Sequence, residues 1–218
     1  MLVCTYEFKV VIISWYSEQH YGKAVNKAFD ELYYNMFFKK GQRILDIGCS
    51  VGNFIAQDSK NIIGIDIDKE QLKICKKRGL NCIYNNVEEG LPFGDNFFNA
   101  INCRHVIEHL KEPLKLLKEI RRILRKSGKL VIMMPDLKRT KEHFWHDYTH
   151  KHPFIKESLV KIAYDAGFRN YSVYRFPEGV FGMQKLYKLG LEPLLIKKIE
   201  KFYGWLFRED ALILEAFK

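Results

Sequence analysis

The chain has 218 residues, of which 47% are hydrophobic and 14% aromatic, so it is long and apolar enough to bury one sizeable core. This composition argues against a disordered or low-complexity protein. The formal net charge of +10 suits a nucleic acid, an anionic membrane surface or a phosphorylated substrate, but it is equally typical of a lysine-rich, solvated surface.

The five cysteines are scattered along the chain and form no CxxC pair. Their odd number and wide spacing predict neither a disulfide framework nor a zinc ribbon, and they favour a reducing, cytoplasmic location. The apolar opening of the chain, residues 2–16, is interrupted by Glu7 and Lys9. It therefore predicts a packed element instead of a signal peptide or a membrane span.

The predicted elements begin with an aromatic-rich segment, residues 17–40, which favours one or two helices that cap a pocket. From Arg43 onward, β-rich runs alternate with helical patterns, as in a parallel sheet with crossover helices. The clearest helix begins at Pro113, which suits a first helical position, and Gly128 is predicted to end it. The strands are predicted at residues 43–47, 62–66, 81–84, 98–103, 129–134, 171–176 and 211–217.

Together these elements predict an α/β fold with a doubly wound, mostly parallel sheet of seven strands in a single domain, residues 1–218. An N-terminal helical cap (1–42) precedes a core (43–176), and a helical insert precedes the last strand (177–218). Within the insert, residues 177–209 place basic side chains among apolar ones at helical spacing. This pattern predicts packing on the sheet, a dimer face or peripheral membrane contact. The oligomeric state is left open.

The first predicted strand runs into a D-x-G-x-x-x-G turn formed by Asp46, Gly48 and Gly52. Glycines let the backbone approach a ligand at the start of the next helix, where dinucleotide folds bind a pyrophosphate. A carboxylate at Asp46 would repel a phosphate and favour a cation, such as the ammonium group of an amino acid. The spacing also differs from the G-x-G-x-x-G fingerprint, although an ordinary tight turn with a solvated aspartate is the alternative.

A second acid, Asp66, ends the next predicted strand about 20 residues later. Doubly wound folds place an acid there to accept both hydroxyl groups of a ribose. The other role for such a residue, capping the next helix, suits Asp68 better. A ligand with a ribose, a cationic amino-acid tail and no phosphate is S-adenosylmethionine.

Five segments, in this order, resemble those of the class I S-adenosylmethionine-dependent methyltransferases, in particular the type 11-like subgroup that acts on small molecules, lipids and sugars. ILDIGCSVGNF resembles their first motif, with Ser50 where a further glycine is common. IIGIDIDKEQL resembles the ribose-binding strand end, and NNVEEGLPFGDNFFNAI the stretch that faces the adenine. The last two segments are CRHVIEHL and LRKSGKLVIMMPD. The resemblance covers Arg43 to about Tyr174 and implies a Rossmann-like methyltransferase fold with S-adenosyl-L-methionine as cofactor.

The resemblance also implies a set of cofactor-binding residues. Asn86 stands in place of the aspartate that usually faces the adenine; it keeps a carbonyl acceptor for the adenine amino group but loses the charge. The predicted cofactor-binding residues are Asp46, Gly48, Cys49, Gly52, Asp66, Ile67, Asn86, Val87 and Cys103.

Candidate catalytic residues follow from the chemistry of methyl transfer. The reaction is an in-line displacement, so a base is needed only when the acceptor is a hydroxyl or a protonated amine. His105 follows the fourth strand, where the acceptor must lie. The segment 143–154 holds four of the seven histidines and resembles a D-x-T-H-x-x-P-F segment of methyltransferases in glycan and lipid-linked sugar pathways. We predict His105, His146 and His150 as candidate catalytic residues.

Three roles stay open for the histidines of this segment. His146 or His150 acts as a general base, the histidines bond within the loop or touch the substrate, or a metal is bound. The spacing matches no recognised ligand motif, and Pro153 favours a loop, so we predict no metal site. The metal set that we considered is His143, His146, Asp147 and His150.

The leading functional prediction is a cytoplasmic methyltransferase that modifies a hydroxyl of a sugar or lipid-linked glycan. One alternative is an RNA or protein methyltransferase, which the net charge motivates. The chain has no N/D-P-P-Y sequence or Pro-Cys pair after the fourth strand, which argues against methylation of a base amine or a pyrimidine carbon. Another alternative is an inactive scaffold, suggested by Ser50 and Asn86, although an inactive fold has no need for Asp46 and Asp66.

Overall fold

The computed structural model describes residues 24–176, 190–192, 195 and 211–218. Its helices are α1 (Ala24–Phe37), α2 (Lys69–Lys77), α3 (Pro113–Ile123), α4 (Leu137–Thr140) and α5 (Lys156–Asp165). Its strands are β1 (Ile44–Ile47), β2 (Ile62–Asp66), β3 (Cys82–Tyr84), β4 (Phe98–Arg104), β5 (Leu124–Pro135), β6 (Asn170–Phe176) and β7 (Ala211–Phe217). Short 3-10 helices lie at Ile55–Gln57, Val87–Glu89, Ile107–His109 and Lys141–His146.

The strands form one seven-stranded sheet in the order β3-β2-β1-β4-β5-β7-β6. The first five strands are parallel, whereas β7 runs antiparallel to both β5 and β6. Helices α1 and α2 pack on one face, and α3 and α5 pack on the other. Because both faces are covered, the central strands carry buried apolar residues on both faces instead of strictly alternating with polar ones. The predicted doubly wound, mostly parallel sheet is confirmed.

The strand order reverses between β1 and β4, because β2 lies on one side of β1 and β4 on the other. In open α/β sheets, ligands bind beyond the carboxyl ends of the strands at such a switch point. Ile47 pairs with both Ile65 and Cys103. The ends of β1, β2 and β4 therefore meet at one edge, which we call the carboxyl edge.

Helix α1 lies within the segment predicted as the N-terminal cap, and aromatic contacts hold this helix in place. The Tyr33 ring lies 4.8 Å from the Phe37 ring and 6.1 Å from the Phe54 ring, measured between centroids. Phe176, at the end of β6, adds an edge contact to Phe37 at 5.8 Å. Aromatic pairs at these distances contribute beyond their buried area, so the cap is a packed part of the domain.

The predicted end of helix α3 at Gly128 is wrong, because the helix ends at Ile123 and β5 starts at Leu124. The carbonyl groups that would continue the helix bond to other parts of the chain. The Arg122 oxygen accepts from the Asn96 amide at 3.1 Å, and the Ile123 oxygen accepts from the Phe97 amide at 2.7 Å. These partners satisfy the helix end and let Leu124 become extended.

The predicted helical insert and its possible membrane contact, residues 177–209, lie almost entirely outside the described residues. The division of the chain into cap, core and insert remains a prediction. None of the helices in the described part of the chain combines the length and apolar character that a bilayer span requires.

Candidate functional site

The turn after β1 has positive φ angles, which residues with a side chain rarely adopt. Gly48 and Gly52 have φ angles of +75° and +84°, and Ser50 has a φ of +50° between them. A Cβ atom on Gly48 would lie 2.5 Å from Cγ2 of Val106, so only glycine fits without a shift. The left-handed φ of Ser50 accounts for the glycine that is common there in the resembling family. The turn is thus pressed against the residues that follow β4.

Asp66 ties this turn to the end of β2. Its Oδ2 accepts a hydrogen bond from the Ser50 amide at 2.8 Å, and its Oδ1 accepts one from the Asp68 amide at 2.8 Å. Burial raises the pKa of this carboxyl, while the amide hydrogen bonds oppose the shift. Each carboxylate oxygen retains acceptor capacity, as a role at a ribose requires.

Asp68 is the N-cap of α2, as predicted. Its Oδ1 accepts from the Glu70 amide at 2.9 Å and from the Gln71 amide at 3.2 Å. Two neighbouring aspartates thus have separate tasks. Asp68 caps the helix, and Asp66 is left to face the carboxyl edge.

Asp46 lies beneath the turn in a buried polar chain. Its side chain is 3% exposed, and its Oδ1 accepts from Nδ2 of Asn102 at 2.7 Å. The Asn102 Oδ1 in turn accepts from the Tyr33 hydroxyl at 3.0 Å. Burial raises the pKa of Asp46 to about 7, although the nearby Arg104 and the Asn102 hydrogen bond act in the opposite direction. A cation bound over the turn would favour the ionised form.

Arg104, the last residue of β4, supplies the positive charge for this buried region. Its Nη2 lies 2.7 Å from Oδ1 of Asp30 on helix α1. Its guanidinium carbon lies 4.9 Å from the centre of the Tyr33 ring and 5.6 Å from that of Phe54. The N-terminal cap thus holds the cation that partly balances Asp46.

The other end of the predicted cofactor site lies beyond β2 and β3. Ile67 follows Asp66 and exposes 59% of its surface, so it offers an apolar face beside the acid. Asn86 caps the 3-10 helix Val87–Glu89, with its Oδ1 accepting from the Glu88 amide at 3.2 Å. Because the carbonyl oxygen has two lone pairs, this cap leaves room for a second donor, such as an adenine amino group. The roles of Asn86 and Val87 remain predictions.

Two predicted cofactor residues turn their side chains into the protein. Cys49 packs over Gly64, where an added Cβ would lie 2.6 Å from the Cys49 sulfur. Cys103 is fully buried in the core, and burial raises the pKa of its thiol well above the ordinary value. Both can offer a ligand their backbone but not their sulfur.

His105 follows β4 directly, in a left-handed conformation with a φ of +52°. Its Nδ1 lies 3.4 Å from Oε1 of Glu108, a carboxylate that is fully buried. Its side chain is 37% exposed, so part of the ring faces solvent. The atoms that crowd Gly48 belong to Arg104 and Val106, the neighbours of His105. His105 therefore stands beside the glycine turn.

The histidines of the segment after β5 take part in two separate ring pairs. His143 and His146 are exposed, and their ring centroids lie 4.8 Å apart. His150 instead reaches back to the 3-10 helix after β4, where its ring lies 4.7 Å from that of His109. The sequence offered His146 and His150 as catalytic candidates, and in the structure each of these rings contacts a different histidine. His109, which is not among the three predicted catalytic residues, is a member of the second pair.

The fold and site can now be set beside known proteins. A sequence model described as a methyltransferase domain matches residues 16–173, more than half of the chain. An uncharacterized protein of Methanocaldococcus jannaschii is 33% identical over 173 residues, which cover 76% of this chain and 69% of that protein. A second uncharacterized protein of the same organism is 31% identical over 135 residues, which cover 59% of this chain and 65% of that protein.

Among solved structures, a SAM-dependent methyltransferase from Archaeoglobus fulgidus superposes with a TM-score of 0.70 and 24% identity. The superposition covers 98% of this chain and 100% of that one, so the two proteins are similar in fold. S-adenosylmethionine is the cofactor of this family. Since the family match spans most of the core and the sheet has the expected strand order, the chain belongs to the class I S-adenosylmethionine-dependent methyltransferases.

Proposed function

We propose that this chain transfers the methyl group of S-adenosylmethionine to a hydroxyl group of a sugar or lipid-linked glycan. The observation that carries the proposal is the pair formed by His105 and the buried Glu108 beside the glycine turn. A hydroxyl is a weak nucleophile until a base accepts its proton, whereas a free amine needs no such base. His105 accepts this proton, and Glu108 stabilises the imidazolium that results.

The residues proposed to bind the cofactor lie at the same carboxyl edge of the sheet. The turn at Gly48 would hold the methionine part of the cofactor, Asp66 would accept hydrogen bonds from the ribose hydroxyls, and Ile67 would lie against the adenine. Binding in this way would orient the methyl group that the cofactor supplies toward the acceptor. Well-oriented reactants gain roughly 7–11 kcal/mol over free encounter, so orientation supplies most of the catalysis and the base adds to it.

Exposed aromatic side chains near the carboxyl edge support a sugar acceptor. Trp145 exposes 54% of its surface and Tyr148 exposes 85%, both in the segment after β5. Backbone bonds from Lys151 and His152 to the Glu108 oxygen, at 2.8 and 3.0 Å, hold this segment against the end of β4. Aromatic rings with a polar edge suit a pyranose, which presents both an apolar face and hydroxyl groups.

The described residues include a cluster of basic side chains that lies away from the proposed methyl-transfer site. A cavity of about 300 Å³ is lined by Arg121, Arg169 and Lys218, at the edge of the sheet where β5 and β6 begin. That edge is opposite to the carboxyl edge. The proposal therefore takes a small molecule or glycan as partner, ahead of RNA.

The test is to incubate the purified chain with S-adenosylmethionine carrying a labelled methyl group and an extract of metabolites and glycans. Mass spectrometry should show one labelled methyl group gained on an oxygen of a sugar-containing product. Label found in RNA or protein, or on a carbon or nitrogen atom, would contradict the proposed acceptor. Asp66→Ala protein is the control for cofactor-dependent labelling.

We expect Asp66→Ala to weaken S-adenosylmethionine binding about 10- to 200-fold, or roughly 1.5–3 kcal/mol, because charge-assisted hydrogen bonds to the ribose are lost. The Ser50 amide also loses its acceptor, which loosens the turn. Isothermal titration calorimetry measures the change. Asp68→Ala is the matched control: it removes an equal charge and the α2 cap, so it should lower stability by about 1 kcal/mol and leave the dissociation constant unchanged. Equal losses of affinity in both variants would contradict the ribose role of Asp66.

We expect cofactor affinity to rise as the pH rises from 5.5 to 7.5. Asp46 has a pKa of about 7 in the free protein, set by burial against the opposing effects of Arg104 and Asn102, with Asp30 and Asp66 raising it further. The cationic cofactor binds the ionised form better, so binding below pH 7 releases protons. Calorimetry in buffers of different ionisation enthalpy measures this release. Asp46→Asn should abolish the pH dependence, and its persistence in that variant would contradict the assignment.

A further inference from the structure

Glu108 is a buried acid whose carboxylate has no hydrogen-bond partner among the residues that the structure describes. Its side chain is fully buried, and neither Oε1 nor Oε2 accepts a hydrogen bond from that part of the chain. The contact that Oε1 makes with Nδ1 of His105, at 3.4 Å, leaves the second oxygen without a compensating charge. A buried carboxylate in this state is costly unless a cation binds it.

Two imidazole rings stand next to this carboxylate. His109 follows Glu108 in the 3-10 helix, and the His150 ring lies 4.7 Å from the His109 ring. Among the described residues, Glu108, His109 and His150 each offer a ligand atom, and these three atoms all lie within 4.8 Å of one another. This separation suits one ion shared by three ligands.

In both the His109 and the His150 ring, the hydrogen bond made by Nδ1 leaves Nε2 available to bind a metal ion. Nδ1 of His150 lies 2.6 Å from the carbonyl oxygen of Phe144, which can only accept, so Nδ1 carries the proton and Nε2 keeps its lone pair. The Thr149 hydroxyl donates its one proton to Asp147 at 2.6 Å. It must therefore accept the bond from Nδ1 of His109 at 2.8 Å, which again leaves Nε2 as a lone pair.

This arrangement is the one that metal-binding histidines adopt. Their second ring nitrogen donates to a backbone carbonyl or another acceptor, which fixes the tautomer and the orientation of the ring. The backbone also holds the two parts of the cluster together, since the Lys151 and His152 amides both donate to the Glu108 carbonyl oxygen. The cluster is thus fixed before any ion binds.

We propose that Glu108, His109 and His150 bind a divalent transition-metal ion of the Zn²⁺ or Mn²⁺ type. Two imidazoles and one carboxylate form a donor set that such ions accept, whereas Mg²⁺ and Ca²⁺ prefer oxygen ligands alone. Three protein ligands leave at least one position open for water or for an oxygen of a bound molecule. Because the carboxylate has two oxygens, one binds the ion while the other stays beside His105.

The proposed site differs from the set that the sequence offered. Of His143, His146, Asp147 and His150, His150 alone is a ligand here. Asp147 instead supports the site from outside through Thr149. Metal binding is a separate claim from the proposed acceptor and stands without it.

The test compares two matched pairs of histidines by calorimetry on protein first treated with EDTA and then titrated with ZnCl2, MnCl2 or MgCl2. Wild-type protein should bind one Zn²⁺ or Mn²⁺ per chain more tightly than Mg²⁺. His109→Ala/His150→Ala should weaken this binding at least 100-fold, whereas the exposed pair His143→Ala/His146→Ala should leave it unchanged. Equal loss in both double variants, or wild-type protein that binds no ion, would overturn the proposal.

Two further measurements keep the test decisive if the ligand variant folds poorly. In wild-type protein, Mn²⁺ should broaden the NMR signals of the His109 and His150 rings before those of His143 and His146; the reverse order contradicts the site. Thr149→Val removes the acceptor that fixes the His109 tautomer and should lower metal affinity about 10- to 100-fold. None of these readouts measures methyl transfer, so failure of the metal site and failure of the proposed acceptor are distinguishable.

Discussion

Replacing Arg104 with methionine is expected to destabilise the fold by about 3–5 kcal/mol, the cost of breaking a buried ion pair. Methionine keeps the length of the side chain but leaves Asp30, which is 5% exposed, without its cation. Asp46 loses the charge that lowers its pKa. The contact with the Tyr33 and Phe54 rings is lost as well. Helix α1 should detach more readily, since Asp30 and Tyr33 both belong to it.

Urea unfolding of the wild type and the variant measures this loss. The surface arginine Arg169, which lies over the Tyr164 ring, provides a matched control, because Arg169→Met should change the unfolding free energy by less than about 0.5 kcal/mol. The double variant Asp30→Asn/Arg104→Met should recover part of the loss, because one unpaired charge has been removed. No recovery in the double variant would show that packing, and not charge, accounts for the effect.

The loss of unfolding free energy caused by Arg104→Met should change with pH in one direction. Without the cation, the pKa of Asp46 rises further above its value in the unfolded chain. An acid with a raised folded-state pKa contributes its stability below the unfolded pKa, and that stability is lost as the pH rises through the folded pKa. Below pH 7 Asp46 is protonated in both folded proteins, so the deficit of the variant relative to the wild type should stay constant there and should grow as the pH rises from 7 to 9. A deficit that shrinks over this range would contradict the role of Arg104.

The sheet was predictable because its signals are local. Strand runs such as 62–66 and 211–217 are mainly apolar, with a single acid in each, and the structure places β2 and β7 at those positions. The N-cap role of Asp68 was predictable for the same reason, since it depends only on the two amides that follow. The end of helix α3 was not predictable, because it depends on Asn96 and Phe97, which are far from it in sequence.

In the functional region, too, local features could be predicted and contacts between distant residues could not. Asp46 could be singled out from the sequence because it stands at a strand end beside a glycine turn, and Asp66 because it ends the next strand about 20 residues later. The salt bridge of Arg104 with Asp30 could not be predicted, because it joins residues 74 positions apart in the chain, through a helix whose docking no periodicity reveals. The pairing of His109 with His150 likewise depends on how the segment after β5 folds back. The adjacent Glu108 and His109 after the fourth strand were the one local sign of the cluster that they form with His150.

His105→Asn is expected to lower the turnover number about 100- to 10,000-fold, the usual contribution of a positioned base. Asparagine is chosen because it tolerates the left-handed backbone at this position, so the local fold survives. It cannot accept a proton at neutral pH. The dissociation constant for S-adenosylmethionine should stay unchanged, because none of the proposed cofactor contacts involves the His105 side chain. Steady-state kinetics with the acceptor found by mass spectrometry, together with calorimetry, separates the two quantities.

His146→Asn is the matched control for this experiment. His146 was an equal candidate by sequence, but the structure places it in an exposed 3-10 helix and pairs it with His143, so the rate should change little. His105→Gly fits the same backbone and leaves space for imidazole, which should restore part of the activity when added to the buffer. Restoration by imidazole requires proton transfer at this position, since a purely structural histidine would leave the rate low. A loss of rate that imidazole does not change, matched by an equal loss of cofactor affinity, would assign His105 to the structure of the turn and remove the base from the mechanism.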